Sequence, residues 1–461
     1  MYNAGTTKKI FVLAVLVALL SCLSTLPSSA GDRVNVRGMG MARASVASSR
    51  GLDAVGINPA NLSFPEEVMS LTVLPAGAFL SSDFFSYELY SKYFQNRVVL
   101  PDLPDGDKQA ILNSFGSPTG SLRAQADVRL FGITLRPNLH SSVAFTVDYG
   151  LSAGATIPKE YARLLLYGST PGSSFDVDGL TIDAWWGRSY TLSYGERLPT
   201  PDFLKWLAGG VSVKLIQGYG YYGVEQFKAS ARTENDGLLT TALSWKARRT
   251  NANTFSQPME NLFQNPAGYG VGLDIGIAGG LDDNISFGIS VTNIGRIKWT
   301  EDVEEFTFDS TVTSNIPDVF KRARSLADSA RGGHKTTNPF STTLPAIIRL
   351  GFSAQLTQDG GWDLLPGEMV IAAEYQQGLG SDLLLSERPR LLFGVEYKPV
   401  KWLPFRSGVS FGEGTSRIAL GFGLSSRFFN LDVATEDILW FFNRSVLTGS
   451  VGMAMRFRIP D

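Results

Sequence analysis

The side chains that most often perform catalysis or bind metals are scarce in this sequence. It contains two histidines and one cysteine, and no His-Glu-x-x-His motif. His140 lies beside a turn and His334 in a glycine-rich stretch, so each is expected to be a solvated loop residue rather than a catalytic base. Asp176-Val177-Asp178-Gly179 is similar to the start of a calcium-binding loop, but the glutamate that such a loop needs is missing. We therefore expect no enzyme activity, no cofactor and no metal site.

The charge balance argues against a nucleic-acid partner. Lys and Arg number 41 and Asp and Glu 43, which gives a net charge of −2, whereas nucleic-acid-binding domains carry a basic patch or stripe. One basic cluster, Lys246-Ala247-Arg248-Arg249, has two interpretations. It would contact lipopolysaccharide phosphates from an external loop, or it is an ordinary solvated group of charges.

The first thirty residues have the pattern of an export signal. Lys8 and Lys9 precede the apolar run Ile10–Leu20, and Ser28-Ser29-Ala30 supplies the small residues that a signal peptidase reads. We predict cleavage after Ala30, with lipoprotein processing at Cys22 as the alternative. Cleavage after Ala30 would remove Cys22, so that the mature chain has no thiol.

Beyond Ala30 the apolar residues recur with period two, the side-chain period of a β-strand. The C-terminus is the plainest example, because Val451, Met453, Met455, Phe457 and Ile459 alternate with Gly452, Ala454, Arg456 and Arg458. No stretch after Ala30 reaches the 18 consecutive apolar residues of a transmembrane helix. Counting the alternating segments predicts about fourteen strands, within about two, between Ser70 and Ile459.

A soluble β-sandwich would also alternate, but three features favour a barrel in lipid. The second face of the strands carries glycines, amides and charges, which suits a crowded or water-filled lumen. Aromatic residues cluster at strand ends, as at a membrane interface. A soluble exported chain of this size without cysteine would need its own reason to lack disulfides. The fold class predicted for residues 68–461 is therefore all-β, a transmembrane antiparallel barrel in the outer membrane of a Gram-negative cell. Gly279–Asp283, Lys398–Leu403 and Gly412–Thr415 are predicted as short periplasmic turns, and 107–115 and 317–330 as helices in long external inserts.

Residues 31–67 precede the first strand and resemble a known family. A glycine-rich start, a short Ala/Ser segment (42–54) predicted as helical, and Asn58-Pro59-Ala60 are similar to the FadL-type superfamily of outer-membrane proteins. Val291-Thr292-Asn293-Ile294-Gly295 at a strand end and Leu344-Pro345-Ala346 before another resemble a little-characterised branch, also similar to PorV-type proteins. The resemblance implies a fourteen-stranded barrel whose N-terminal segment folds inside it as a hatch. The chain departs from the family pattern in lacking a terminal aromatic residue.

The hatch is the candidate functional site. Its predicted gating residues combine small side chains, charges and a rigid turn: Gly38, Gly40, Arg43, Arg50, Asp53, Asn58, Pro59 and Ala60. Since buried charges need partners, we expect lumen counter-charges from Asp148, Asp274, Glu374 and Glu396. A periplasmic tail is the alternative interpretation of this segment.

Two functions fit this reading. The first is passive transport of hydrophobic or amphipathic small molecules, with the hatch as the gate and membrane lipid and lipopolysaccharide around the barrel. The second is a PorV-like scaffold that binds exported proteins in type IX secretion. The sequence does not distinguish them, nor does it identify the substrate.

Overall fold

The structure of the protein is a computed structural model. The structure describes residues 34–64, 67–93, 100–167, 174–233, 238–250, 265–315, 335–336, 338–357, 366–379, 389–412, 415–443, 445 and 448–459. The predicted signal peptide and the predicted helix at 317–330 lie outside these residues.

Within these residues, twenty strands form one sheet. They are β1 Met69–Thr72, β2 Ala76–Ser82, β3 Thr119–Asn138, β4 Ser141–Pro158, β5 Ser174–Asp178, β6 Thr181–Leu198, β7 Trp206–Thr233, β8 Leu238–Thr250, β9 Gly268–Gly280, β10 Ile285–Trp299, β11 Val303–Asn315, β12 Lys335–Thr336, β13 Phe340–Thr343, β14 Ile347–Thr357, β15 Glu368–Gly378, β16 Arg390–Val400, β17 Leu403–Gly412, β18 Thr415–Ser425, β19 Phe429–Thr435 and β20 Thr448–Ile459. The helices are α1 Val36–Gly40, α2 Tyr87–Tyr93, α3 Asp105–Asn113 and α4 Lys159–Tyr167, with 3-10 helices at Gly51–Ala54, Pro59–Ser63, Leu100–Asp102 and Ile438–Phe441.

The sheet closes on itself. β1 and β2 both pair with β3 on one side and with β20 on the other, so together they fill one position in the wall. β13 and β14 likewise share a position beside β10. The wall then runs β1/β2, β3, β4, β6, β7, β9, β10, β13/β14, β15, β16, β17, β18, β19, β20 and back to β1/β2, every pair antiparallel. The predicted antiparallel barrel of about fourteen strands is confirmed.

The two ends of the barrel differ. Short turns such as 139–140, 281–284 and 401–402 lie at the end where β1 begins and β20 finishes, which we call the turn end. The opposite, loop end carries α2, α3 and α4, and an extension in which β8 pairs with β7 and β11. The predicted helix at 107–115 is present as α3. The placement of Gly412–Thr415 at the turn end is wrong, because β17 leaves the turn at 401–402 and runs toward the loop end.

Alternation along each wall strand separates an apolar outer face from a small or polar inner face. On β20, Val451, Met453 and Phe457 are 51%, 56% and 45% exposed, whereas Gly452 is buried. No helix in the described ranges is both long and apolar enough to span a bilayer.

Candidate functional site

The N-terminal segment packs inside the barrel at the turn end. We use the name hatch for residues 34–64, which are described without a gap. The helix α1 contacts β17, β18, β19 and β20, whereas the 3-10 helix Pro59–Ser63 contacts β4, β6, β7 and β9 on the other side of the lumen. Six of the predicted gating residues are buried, namely Gly38, Gly40, Arg43, Asn58, Pro59 and Ala60, and Arg50 and Asp53 are half-buried.

The predicted helix over 42–54 is wrong over most of its length, because only the 3-10 helix Gly51–Ala54 falls within it. The α-helical turn comes earlier, at α1, where the Asn35 side chain accepts a hydrogen bond from the Gly38 N–H at 2.8 Å and caps the helix. Ala42 and Arg43 have φ values of 51° and 73°, and this left-handed backbone ends the helix where the small residues suggested that one begins. The hatch is therefore a chain of single turns without a strand.

Glycines on the inner face of the wall let the hatch backbone approach closely. A Cβ atom added to Gly210 would lie 2.2 Å from the carbonyl carbon of Pro59, and one on Gly288 would lie 2.4 Å from the Val46 oxygen. Such distances are far below van der Waals contact, so only glycine fits. The other wall glycines whose added Cβ would lie within about 3 Å of the hatch are Gly195, Gly276, Gly351, Gly394, Gly408, Gly421 and Gly452. At this level the lumen is crowded rather than water-filled.

Asn58 ties the hatch to the wall. Its side-chain amide donates to the Ile277 carbonyl on β9 at 3.1 Å and to the Val46 carbonyl at 3.1 Å, and its oxygen accepts from the Ala60 N–H at 3.2 Å. Pro59 occupies the first position of the 3-10 helix, where the missing N–H costs nothing. On the neighbouring strand β10, the Ser290 hydroxyl donates to the Ile57 carbonyl at 2.6 Å.

A charged network joins α1 to the wall. Arg37 donates to both carboxylate oxygens of Glu396 on β16, at 3.0 and 3.1 Å. Arg406 on β17 donates to the same carboxylate at 2.6 Å and to Asp432 on β19 at 2.6 Å. The Glu396 side chain is 1% exposed, so its charge depends on these partners.

Arg43 and Asp53 of the hatch are paired as well. Arg43 forms an ion pair with Glu436 at 2.7 Å, with side chains 4% and 2% exposed, and Asp53 pairs with Arg456 on β20. Glu374 accepts hydrogen bonds from two hatch backbone groups, the N–H of Ser45 and of Val46, both at 2.7 Å.

Two of the four carboxylates predicted as counter-charges for the hatch, Asp148 and Asp274, pair with residues of the wall instead. Asp148 pairs with Arg129 at 2.6 Å and Asp274 with Lys214 at 2.9 Å, so both neutralise wall cations. Asp148 and Arg129 lie opposite each other on β4 and β3, which puts them in reach without the hatch. Sequence reasoning missed Arg37, although an arginine in a segment predicted to be buried is a usable signal. Glu436 follows the end of β19 and gave no such signal.

Two cavities flank the hatch. The one toward the loop end has a volume of about 140 Å³ and is lined by hatch residue Val55 and by Tyr149, Trp185, Ile216 and Leu344, with Asp148, Arg129 and Lys214 among its polar groups. Beyond it, Trp299 and Tyr221 pack into a buried apolar cluster with Ile216 and Leu344. The cavity at the turn end, about 230 Å³, is lined mainly by charged and polar side chains, including Arg37, Asp53, Glu396 and Arg458.

The other sequence motifs lie outside the lumen site. Asp176 and Asp178 are in strand β5 rather than in a loop, and His140 is in an exposed turn. Lys246, Arg248 and Arg249 lie on β8 and form ion pairs with three acidic residues of the extension, Glu225, Glu304 and Glu305. The hydrogen bond from Arg248 holds the pKa of Glu305 below its usual value. The described residues contain no group of three or more His, Cys, Asp or Glu placed to hold a metal ion.

The fold and the lumen define a class: a closed fourteen-stranded antiparallel barrel plugged by its own N-terminal segment, the layout that the resemblance implied. The chain belongs to a family of unknown function (DUF5723), whose model matches residues 76–436. That match covers most of the wall and excludes the hatch. No curated protein sequence matches the chain.

Several solved barrels are similar in outline. A deltaS2S3 mutant of the monoaromatic hydrocarbon channel TodX is 9% identical with a TM-score of 0.48, over 94% of this chain and 99% of that one. The toluene transporter TbuX of Ralstonia pickettii is 10% identical with a TM-score of 0.42, over 91% and 97%. A FadL homologue of Pseudomonas aeruginosa is 13% identical with a TM-score of 0.44, over 94% and 97%. At these identities and TM-scores the likeness carries no inference about function.

Proposed function

We propose that the protein is exported by a cleavable signal peptide to the outer membrane, where it passes hydrophobic or amphipathic small molecules by passive transport gated by the hatch. The observation that carries this proposal is a closed barrel whose lumen, at the turn end, is filled by a segment that shares no β-ladder with the wall. The proposal requires no catalytic residue. The scaffold role stays a prediction from the sequence, since no described contact favours it.

The outer surface supports a membrane location. In lipid, every backbone polar group must be paired internally, and a closed barrel achieves this because it has no free edge. The outward side chains of neighbouring strands are apolar and exposed, for example Val213 and Leu215 on β7, Ile275 on β9, and Phe393 on β16. Apolar residues at these positions would be costly in water and are favoured against lipid.

The attachment of the hatch supports gating. The hatch is held by side-chain ion pairs, by Asn58 and by close contacts with wall glycines, and none of these belongs to the ladder that closes the barrel. A segment of this kind can shift while the wall stays intact, as required of a gate drawn from a less stable part of the fold.

The cavity toward the loop end supports an apolar cargo. Its aromatic and aliphatic lining residues, Tyr149, Trp185, Ile216 and Leu344, would contact apolar groups, and Lys214 and Asp148 would contact a polar head. Its volume of about 140 Å³ is close to the roughly 150 Å³ of an engineered apolar cavity that binds benzene. Larger molecules would need the hatch to move.

A reversible lock on the hatch tests the proposal. Ala60 of the hatch and Ala208 of β7 belong to the same buried cluster, so Ala60→Cys with Ala208→Cys would place two thiols across the boundary in a mature chain otherwise predicted to lack cysteine. We expect the oxidised variant to lose uptake of small apolar solutes into proteoliposomes and to regain it on reduction, whereas each single-cysteine variant behaves like the wild type under both conditions. Uptake that is unchanged by oxidation, with the disulfide verified by mass spectrometry, would rule out gating by this part of the hatch.

Deletion of residues 38–62 tests gating by removing the hatch instead of locking it. If the hatch closes the lumen, the deletion gives a folded, heat-modifiable barrel with higher permeability to bulky solutes. A folded deletion variant with unchanged conductance would contradict both the gate and the transport route through it.

A further inference from the structure

A groove on the outer surface of the barrel combines an apolar floor with two cations. It has a volume of about 450 Å³ and lies across β6, β7, β9 and β10. Its outward side chains include Leu215, Tyr269 and Val271, which are 58%, 60% and 59% exposed. Arg296 and Lys298 of β10 line one side.

Both cations point away from the lumen. Ile297 and Trp299, which alternate with them along β10, are 2% and 0% exposed and belong to the apolar cluster inside the barrel. Arg296 and Lys298 themselves are exposed. Their side chains therefore lie on the outer face, beside the groove.

Neither cation has an acidic neighbour across the sheet. Arg296 lies opposite Val271 on β9 and Thr343 on β13, and Lys298 lies opposite Tyr269 and Ser341. Within the described ranges, no carboxylate forms an ion pair with either one. This distinguishes them from Lys246, Arg248 and Arg249, whose charges are balanced by glutamates of the extension.

The height of the cations along the barrel matches the outer edge of an apolar membrane belt. From Ile285 at the turn end to Ile294, the outward residues of β10 are apolar, and the two cations follow directly. Ten residues of a strand tilted by about 40° rise roughly 25 Å, which is the height of the apolar band of such barrels. Arg296 and Lys298 would thus lie at the level of lipid head groups, and their neighbours across the sheet, Val271 and Tyr269, would lie beside them at the boundary with the acyl chains.

We propose that this groove binds a phosphorylated, multiply acylated lipid of the outer leaflet, of the lipid A class, with Arg296 and Lys298 on its phosphate and with Leu215, Tyr269 and Val271 against its acyl chains. Arginine and lysine are the side chains that best bind phosphate oxygens. The aromatic rim at the same height, formed by Tyr190 and Tyr269, suits the boundary between head groups and chains. The inference rests on the membrane location in the proposed function and is independent of transport.

The test compares lipid binding by two charge-matched variants. Full-length folded barrels in detergent are titrated with lipid A, with chemically dephosphorylated lipid A, and with inorganic phosphate. The test variant is Arg296→Gln with Lys298→Gln. The control is Lys205→Gln with Lys401→Gln, which removes two exposed cations at the turn end.

We expect lipid A affinity at low salt to fall about thirtyfold in the test variant, since each cation near an anionic lipid surface contributes about a factor of five. The control should bind lipid A like the wild type, the dephosphorylated lipid should bind the wild type weakly, and millimolar inorganic phosphate should not displace lipid A. Equal affinity of wild type and test variant would overturn the site. So would an equal loss in the control, equal binding of the dephosphorylated lipid, or displacement by inorganic phosphate alone.

Insertion of the same proteins into phosphatidylcholine vesicles separates the two proposals. Failure of every variant to insert would contradict the membrane location. Normal insertion without selective lipid A binding would contradict the groove alone and leave the proposed function standing.

Discussion

Replacing Arg37 with methionine should loosen the hatch without unfolding the barrel. Arg37 makes two charge-assisted hydrogen bonds to Glu396 and a third, at 3.1 Å, to the Ser48 carbonyl within the hatch. Methionine keeps much of the apolar stem and removes all three bonds. Glu396 keeps Arg406 at 2.6 Å, so its charge stays paired and the penalty of an isolated buried carboxylate does not arise.

The magnitude follows from the bonds that are lost. A hydrogen bond to a charged group contributes about 1.5–3 kcal/mol, but the Arg37 side chain is 17% exposed, and water would partly replace its bonds. We therefore expect a loss of about 1.5–3 kcal/mol for the whole tether, which raises the population of the undocked hatch by about tenfold to a hundredfold.

Amide hydrogen exchange is the direct assay. Protection of residues 36–49 should fall tenfold to a hundredfold in Arg37→Met, while the wall strands β16 and β17 keep their protection. Lys398→Gln is the matched control, because Lys398 lies 3.6 Å from the same carboxylate and is 33% exposed, yet belongs to the wall. Unchanged hatch protection in Arg37→Met, or an equal change in Lys398→Gln, would refute the idea that this network docks the hatch.

Three further predictions concern the outer face, the inner face and the loop end. Met455→Arg, at the middle of the outward apolar positions of β20, should destabilise folding into lipid vesicles by about 2–4 kcal/mol, and Met455→Leu should be neutral; equal values would reject the outward assignment. Gly210→Ala should expose the hatch to protease, because its Cβ would overlap the Pro59 backbone, whereas Gly209→Ala, whose Cβ would meet only a leucine side chain at 3.0 Å, should not. The lowered pKa of Glu305 means that its pair with Arg248 stabilises the extension fully above the usual carboxyl pKa and is lost as the pH falls below it. The protection factors of amide hydrogens in β8 and β11, which correct for the slower intrinsic exchange at low pH, should therefore fall on acidification. A Glu305→Gln variant that keeps the same pH dependence would exclude this carboxylate as the cause.

The wall of the barrel was predictable because its two faces meet different surroundings along the whole strand. In β20, each outward position is apolar and each inward one is small or cationic. This contrast predicts that the segment is a strand, which of its faces points outward, and how long it is. The same signal repeated around the barrel gives the number of strands. The structure supplies the register within each pair, the extension formed by β8 and β11, and the end of the barrel at which Gly412–Thr415 lies.

The pattern misled where the backbone departs from regular geometry. The sequence Val291-Thr292-Asn293-Ile294-Gly295 suggested a strand end, but β10 continues to Trp299 through a bulge at this point. Asn293 adopts a φ of 61°, which asparagine tolerates better than most residues, and its N–H donates to the Asp274 carboxylate at 2.7 Å. A turn-forming residue thus marks an extra residue in one strand, and periodicity cannot separate the two cases.

The hatch pairings were less predictable than the hatch itself, because they depend on which wall positions face which turn across the lumen. Alternation shows that an inner face is small, but it does not show whether water or protein lies against it. The distinction is in the steric contacts: a water-filled lumen would leave room for a Cβ on Gly210 and Gly288, and here each would overlap hatch backbone. Because the hatch docks backbone against backbone at these points, an added carbon on these wall glycines should displace it. The specificity of the plug therefore resides largely in the barrel that encloses it.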